Sequence, residues 1–289
     1  MRHLSTLLIS LWLSLAIAHA EKLRISSFSN ILTEVAEQVG GESVSVTGHV
    51  KPGVDPHDFE PRPADLKTVS KADVIVLSAK HLEGYVGKLR EAAGGRASIL
   101  EVGNSIPALE VRGRAAGAED PHWWHSIGNI ERATRVVRDE LIRLRPDQKA
   151  AFTANASAYL DQLGKLKGWV KAKIAELPRD KRKLVTNHDS FGYFAKEFGF
   201  SVYSIAGISN GDQPGSRKVA EIIATIRSEG VKAIFSENSE NRKVLNQITR
   251  ETGIQIGGEL LTDGLGSKPL DTVEAMFKHN VTTIVEALK

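Results

Sequence analysis

The sequence predicts an α/β protein made of two similar parallel-sheet lobes that are joined by one long connecting α-helix. Short apolar runs of the strand type alternate with helix-period segments, first over residues 21–145 and again over 179–289. Such alternation is typical of a parallel sheet with helices on its faces. Between the two halves, residues 147–177 contain no proline and many good helix formers, which indicates one uninterrupted helix.

The first half contains four predicted strands, at 23–26, 44–47, 74–77 and 98–100. A helical pattern of apolar residues runs over 31–39. Pro63 suits the first turn of a helix that reaches Lys71, because backbone N–H groups in the first turn make no hydrogen bond within the helix and the missing N–H of proline is not needed there. Asp65 lies in the same first turn, where its negative charge favours the positive end of the helix.

The connecting segment has the period of an amphipathic helix. Seven apolar residues recur at spacings of three or four, at Phe152, Ala156, Tyr159, Leu163, Leu166, Val170 and Ile174. A helix of about 30 residues is roughly 45 Å long, enough to run the length of a two-lobed molecule. Pro178 is expected to end it. We interpret residues 146–178 as a stiff connector that permits little relative motion of the lobes.

The second half repeats the pattern of the first. Its predicted strands lie at 184–185, 202–205, 233–235 and 254–256, and its predicted helices lie at 191–198, 218–229, 242–251 and 271–288. The chain after the leader therefore divides into an N-terminal lobe over 21–145, the connecting helix over 146–178 and a C-terminal lobe over 179–289.

Residues 1–20 are interpreted as an export signal. Arg2 gives a positive start, residues 7–18 form an apolar stretch, and Ala18-His19-Ala20 matches a small-x-small cleavage site. The apolar stretch is too short to span a bilayer comfortably. We expect cleavage after Ala20 and a periplasmic mature chain. Because no cysteine follows the signal, we expect no lipid anchor.

Composition excludes several kinds of site. The sequence has no cysteine, so disulfides and thiolate metal sites are excluded, and any metal would be bound by nitrogen or oxygen from histidine, aspartate or glutamate. The formal net charge of +3 falls to +2 when the leader is removed, since Arg2 is its only charged residue. This small excess is spread along the chain and gives nucleic-acid binding little support.

Three histidines and one aspartate lie in loops that follow predicted strands or precede a helix. His188 and Asp263 each follow a strand of the second half, His57 lies in a turn-rich loop of the first half, and His122 opens a turn before a helix. Ligands bind outside the carboxyl ends of strands in an open parallel sheet, so two loops from each half can converge on a cleft between the lobes. Three imidazoles and one carboxylate suit four-coordinate zinc. No His-x-x-x-His pair occurs, so this prediction depends on long-range convergence.

Six short motifs follow one another in an order that is more specific than any one of them. They are PHDFEPRPADL at 56–66, ADVIV at 72–76, LEGY at 82–85, DPHWW at 120–124, NHDSFGYF at 187–194 and TDGL at 262–265. Together they resemble the metal-binding receptors of ABC transporters, the zinc and manganese solute-binding family. The resemblance extends over essentially the whole mature chain.

The resemblance implies a receptor, not an enzyme, that captures a divalent metal ion and delivers it to the membrane permease of an ABC importer. It implies that the metal lies between the lobes and that its ligands are His57, His122, His188 and Asp263. In this family, histidine as the third of the four metal ligands is typical of zinc-selective relatives, and glutamate there is typical of manganese-selective ones. His188, the third ligand in this chain, therefore favours Zn²⁺. Imidazole suits zinc, whereas a second carboxylate suits the harder Mn²⁺. A manganese or iron (Fe²⁺) receptor is the alternative, and a monomer is the expected state.

Two residues near the motifs leave alternatives open. His125 follows Trp124, where the family usually continues Trp-Leu-Asp-Pro. It can compete as a ligand, hold a second metal, or be a first-turn helix residue near the cleft rim, which we favour. Glu237 follows the strand at 233–235, where it can either orient a ligand imidazole or serve as a structural cap. The segment 103–119 is short and has no histidine, so we expect no histidine-rich loop that gathers zinc.

An exported zinc hydrolase is the competing class, since three histidines and one carboxylate can also support an activated water. A hydrolase needs an open coordination position and a general base. Glu237 is the only base we can nominate, and Asp263 as a fourth protein ligand would close the site. No His-Glu-x-x-His motif occurs. Metal capture is therefore favoured over catalysis.

Overall fold

The computed structural model describes residues 21–111, 117–209, 211–212, 214–237 and 242–289. Residues 1–20, interpreted above as an export signal, lie outside this part of the chain. Within the described residues, no helix combines the length and the apolar character needed to cross a membrane.

The N-terminal lobe is built on four parallel strands. They are β1 (Leu23–Ser27), β2 (Val44–Gly48), β3 (Val74–Leu77) and β4 (Ser98–Glu101), in the spatial order β2-β1-β3-β4. The helices of this lobe are α1 (Asn30–Gly40), α2 (Pro63–Val69), α3 (Val86–Ala93) and α4 (Ile127–Leu144). All four strands predicted for the first half are present, and the parallel pairing places their carboxyl ends at one edge of the sheet.

The connecting helix, α5 (Lys149–Ile174), follows a short 3-10 turn at Pro146–Gln148. All seven apolar residues that define its predicted period are buried. They belong to a core that also includes residues of α1, α4 and α9 (Val273–Leu288). The long helix therefore packs against both lobes along one continuous apolar interface, which explains why its periodicity is so regular.

The C-terminal lobe repeats the topology of the first. Its strands are β5 (Lys183–Thr186), β6 (Ser201–Ser204), β7 (Ala233–Glu237) and β8 (Gln255–Leu260), paired in parallel in the order β6-β5-β7-β8. Its helices before α9 are α6 (Gly192–Phe198), α7 (Ser216–Glu229) and α8 (Arg242–Thr252). In each lobe the first and third strands form the centre of the sheet. The prediction of two similar α/β lobes joined by one long helix is confirmed.

Short polar side chains set the starts of several helices. Ser29 Oγ accepts a hydrogen bond from Leu32 N–H at 3.3 Å at the start of α1, and Thr272 Oγ1 accepts one from Ala275 N–H at 3.1 Å at the start of α9. Asp65 accepts a bond from Arg62 N–H at 2.8 Å, so it contributes to the start of α2 by a hydrogen bond as well as by its charge.

Candidate metal centre

His57 lies in the loop after β2, and a local turn fixes its backbone. Asp55 Oδ1 accepts a hydrogen bond from His57 N–H at 2.8 Å, and the Asp55 carbonyl accepts one from Asp58 N–H at 3.3 Å. The buried ring of Phe59 anchors the loop against Phe28, with 6.0 Å between ring centroids. Burial lowers the pKa of His57, which favours the neutral imidazole that a metal ion requires.

His122 is fully buried immediately before a 3-10 turn at Trp123–His125. Asp120 Oδ1 lies 2.8 Å from the backbone nitrogen of His122 and 2.8 Å from its Nδ1. A carboxylate at Nδ1 selects the tautomer with the proton on that nitrogen, so the Nε2 lone pair is left for a metal ion. Burial lowers the pKa of His122 well below its ordinary value and raises the pKa of Asp120 to about 7.

His188 follows β5, and Glu237 ends β7, its neighbour in the sheet. Glu237 Oε1 accepts a hydrogen bond from His188 N–H at 3.1 Å, and Glu237 Oε2 contacts His188 Nδ1. Both side chains are completely buried. This contact again assigns the proton to Nδ1 and leaves Nε2 for a ligand. Of the two roles considered for Glu237, the contact supports the orientation of an imidazole.

Asp263 lies in the loop after β8, and a residue of the other lobe holds that loop. Asn30, at the start of α1, accepts a hydrogen bond from Leu265 N–H at 3.0 Å and donates one to the Leu265 carbonyl at 3.3 Å. Gly264, which lies between Asp263 and Leu265, has φ +142°, and a Cβ added there would lie 2.3 Å from Asn30 Oδ1. Glycine at 264 is therefore required by both the backbone conformation and the close approach of Asn30.

The structure brings the four predicted residues together, with one ligand atom of each within 4.8 Å of all the others. His122 Nε2 lies 3.0 Å from His57 Nε2 and 3.3 Å from His188 Nε2. Asp263 Oδ1 lies 3.8, 3.7 and 3.4 Å from the Nε2 atoms of His57, His122 and His188. Zinc–ligand bonds of 2.0–2.1 Å in a regular tetrahedron would separate the ligand atoms by about 3.3 Å. The donor set therefore fits a four-coordinate ion without large movements.

The four groups differ in charge because their neighbours differ. Burial lowers the pKa of His188, but Glu237 and Asp263 outweigh burial, so that pKa stands well above its ordinary value. Burial raises the pKa of Asp263, but the neighbouring imidazoles, His188 first, outweigh it and hold that pKa below its ordinary value. These shifts favour a histidinium paired with a carboxylate when no metal is bound, with 3.4 Å between His188 Nε2 and Asp263 Oδ1. A bound cation would take the place of the proton on Nε2.

His125 does not lie at the cleft rim as expected. It is 1 % exposed, and its Nε2 lies 2.7 Å from the Thr262 carbonyl oxygen. The expectation treated His125 as part of the first turn of α4, but Ser126 caps that helix through Asn129 N–H at 3.1 Å, and His125 belongs to the separate turn before it. It is also outside the group of convergent ligand atoms.

Sequence reasoning missed Asp120 and Asn30. Asp120 had a local signal, since a carboxylate two residues before a candidate ligand histidine can reach both its backbone and its ring. Asn30 had none, because its partner Leu265 is 235 residues away in the chain.

Comparisons with known proteins agree with this architecture. Residues 26–287 match the model of the family described as zinc-uptake complex component A, periplasmic (ZnuA). The chain is 34 % identical over 277 residues to the manganese-binding lipoprotein MntA of Bacillus subtilis, covering 93 % of this chain and 90 % of that protein. It is 32 % identical over 265 residues to the zinc-binding protein TroA of Treponema pallidum, covering 89 % of this chain and 86 % of that protein. The chain is 28 % identical over 269 residues to the iron-binding protein YfeA of Yersinia pestis, covering 92 % of this chain and 86 % of that protein.

The solved structure of the periplasmic zinc-binding protein TroA from Treponema pallidum superposes with a TM-score of 0.85 at 30 % identity. The match covers 93 % of this chain and 99 % of that one. The relatives are named for zinc, manganese and iron, so the family relationship establishes a divalent metal ion but not which one. The chain belongs to the ZnuA family, whose members are extracytoplasmic metal-binding proteins of ABC transporters and not enzymes.

Proposed function

We propose that this protein captures a divalent transition metal, with zinc preferred, through His57, His122, His188 and Asp263, and delivers it to the permease of an ABC importer. The observation that supports this best is the convergence of the four ligand atoms from loops of both lobes. At least two of the three imidazoles have a buried carboxylate at Nδ1, which fixes the ring for coordination through Nε2.

Zinc is proposed as the preferred ion because of the donor set. Three imidazole nitrogens and one carboxylate suit the borderline Zn²⁺ ion, whereas Mn²⁺ favours oxygen ligands. Intrinsic affinities for such a site also follow an order in which zinc exceeds manganese and iron. Manganese or iron remains the alternative, in keeping with the names of MntA and YfeA.

The same proposal includes the organisation and location of the chain. Residues 1–20 would be removed as an export signal, and the mature protein would consist of lobes over 21–145 and 179–289 with the connecting helix over 146–178. We place it in the periplasm as a monomer without a lipid anchor, since the sequence contains no cysteine to accept one. MntA of Bacillus subtilis, in contrast, is named a lipoprotein.

No observation favours a hydrolase. Glu237, the general base nominated from the sequence, is engaged with the ring and backbone of His188. The segment 207–211 has the Gly-x-Ser-x-Gly spacing of a hydrolase nucleophile, but α7 begins only at Ser216. Ser209 therefore does not lie on the sharp strand-to-helix turn that this motif requires.

The proposal is tested by titrating metal-stripped protein with Zn²⁺ and Mn²⁺ in a calorimeter and counting bound metal by elemental analysis. We expect one tight zinc ion per chain that excess manganese does not displace. Replacing His188 with Gln should weaken zinc binding by more than about 100-fold, beyond the effect typical of an orienting neighbour. His279→Gln is the matched control, because His279 lies on α9 outside the ligand group. Tight manganese binding that resists zinc would reverse the proposed preference, and unaltered binding by His188→Gln would refute the site.

A further inference from the structure

The carbonyl oxygen of Thr262 accepts two hydrogen bonds from adjacent residues of the other lobe. Trp124 Nε1–H donates to it at 2.9 Å, and His125 Nε2 lies 2.7 Å from it. Both donor side chains are buried, at 2 % and 1 % exposure. We call this arrangement, formed by Trp124, His125 and the Thr262 carbonyl, the Thr262 clamp.

The chemistry of the clamp defines the state of His125. A carbonyl oxygen only accepts hydrogen bonds, so His125 Nε2 must hold a proton and donate. Burial lowers the pKa of His125 to about 4, so the ring is the neutral tautomer protonated at Nε2. The face of the His125 ring stacks on the ring of Phe191, with 4.5 Å between the ring centroids. The Nε2 atom is thus committed to Thr262 and has no lone pair to offer a metal ion.

The clamp acts on the residue that precedes Asp263. Fixing the Thr262 carbonyl fixes the peptide plane between 262 and 263, and therefore the point from which the Asp263 side chain extends. On the other side of Asp263, Asn30 holds both backbone groups of Leu265. The one ligand that is a carboxylate is thus held on both sides by contacts that cross from the N-terminal to the C-terminal lobe.

We propose that His125 is a positioning residue that holds Asp263 against the three imidazoles and thereby slows release of the captured metal. This inference rests on the proposed function. When one ligand moves away, it opens a coordination position on the metal. Neighbouring residues that hold the ligand in place raise the free energy needed for that movement. The Thr262 clamp opposes the displacement of Asp263 that would begin metal release.

The test compares metal dissociation from zinc-loaded His125→Phe, His125→Gln and wild-type protein, measured in a stopped-flow instrument with a chromogenic chelator in excess. Phenylalanine keeps the stacking on Phe191 but lacks the donor, and we expect zinc to dissociate about three- to tenfold faster, as for loss of one buried hydrogen bond. Glutamine keeps an N–H donor at similar reach, so its dissociation rate should stay within about twofold of wild type.

A double-mutant cycle separates positioning from general packing. If His125 acts through Asp263, His125→Phe should accelerate release in the wild-type background but have no effect in the Asp263→Ala background. Equal acceleration in both backgrounds, or no acceleration in either, would overturn the proposal. Trp124→Phe removes the second donor to the same carbonyl and supplies the same test should His125→Phe not fold. Failure of the wild-type protein to bind any metal would instead refute the proposed function.

Discussion

Glu237 contacts His188 at two points, its Oε1 accepting the backbone N–H at 3.1 Å and its Oε2 meeting the imidazole Nδ1. The two residues end neighbouring strands, β7 and β5, so the sheet itself places the carboxylate beside the ring. One side chain therefore fixes both the backbone and the tautomer of a proposed ligand. In this way the fold prepares an imidazole for coordination before a metal arrives.

Replacing Glu237 with Gln should weaken zinc affinity by about 10- to 100-fold. The amide has one oxygen for two donors, so its NH₂ group must face either the backbone N–H or the Nδ1–H of His188. Competition titration against a chelator of known affinity measures the effect. Glu221→Gln, at an exposed position on α7, is the matched control and should leave affinity unchanged. Equal affinities for the Glu237 variant and wild type would mean that the contact does not orient the ring.

The choice between zinc and manganese should depend on both members of this pair. His188→Glu alone places a second carboxylate against buried Glu237, and the repulsion should weaken binding of both metals. In the double variant His188→Glu/Glu237→Gln, the amide can donate to the new carboxylate, so binding should recover with a preference shifted toward manganese. We expect the ratio of the zinc and manganese dissociation constants to shift by about tenfold, equivalent to about 1.4 kcal/mol. Titrations with each metal measure the two dissociation constants, and an unchanged ratio would show that residue 188 does not set selectivity.

The sequence predicted those features of the fold that depend on local periodicity. The seven apolar positions of α5 identified its buried face correctly, because a helix that packs against both lobes must repeat that face along its length. The placement of His57, His188 and Asp263 followed from a rule of parallel sheets, in which the loops at the carboxyl ends of the strands lie at one edge of each sheet.

The individual hydrogen bonds that join the lobes were beyond prediction from the sequence. His125 and Thr262 are 137 residues apart, and no periodic pattern links them. A buried hydrogen bond of this kind depends on how two finished lobes meet, which is a property of tertiary packing. The position of His125 was mistaken for the same reason, since its local sequence is equally compatible with a turn that faces inward and with the exposed first turn of α4.

Glu34 should make the stability of the metal-free protein depend on pH. This carboxyl accepts hydrogen bonds from Val273 N–H at 2.6 Å and from Tyr159 Oη–H at 2.9 Å, so it joins α1 to α9 and α5. Burial raises its pKa from 4.5 to about 7. The folded state then binds the proton more tightly than the unfolded state, so the stabilisation is complete below pH 4.5 and is lost as pH rises through 7.

Glu34→Gln should remove that dependence. The amide oxygen can accept from Val273 N–H, while its NH₂ group donates to a rotated Tyr159 hydroxyl. We expect the stability of the variant relative to wild type to rise between pH 5 and 7 by up to about 1.4 kcal/mol per pH unit. Urea unfolding of the metal-free proteins at pH 5, 6, 7 and 8 measures this difference. Stability curves that stay parallel over this range would contradict a raised pKa at Glu34.

Two glycines inside α5 should be replaceable with a gain in stability. Gly164 and Gly168 are exposed, and a Cβ added at either would meet nothing within 4 Å. Alanine restricts the unfolded chain and favours the helix, so each substitution should raise the free energy of unfolding by about 0.5–1 kcal/mol. Urea unfolding measures the gain, and zinc affinity should not change because α5 contributes no ligand atom.

Gly199→Ala provides the opposing control for these substitutions. Gly199 ends α6 with φ +76°, a conformation that alanine adopts only with strain, so this variant should lose stability. The same chemical change is thus expected to have opposite signs at 164 or 168 and at 199. A loss of stability at Gly164 or Gly168 would mean that an added Cβ is unfavourable there, and it would contradict the open surroundings and helical backbone of α5 at these two positions.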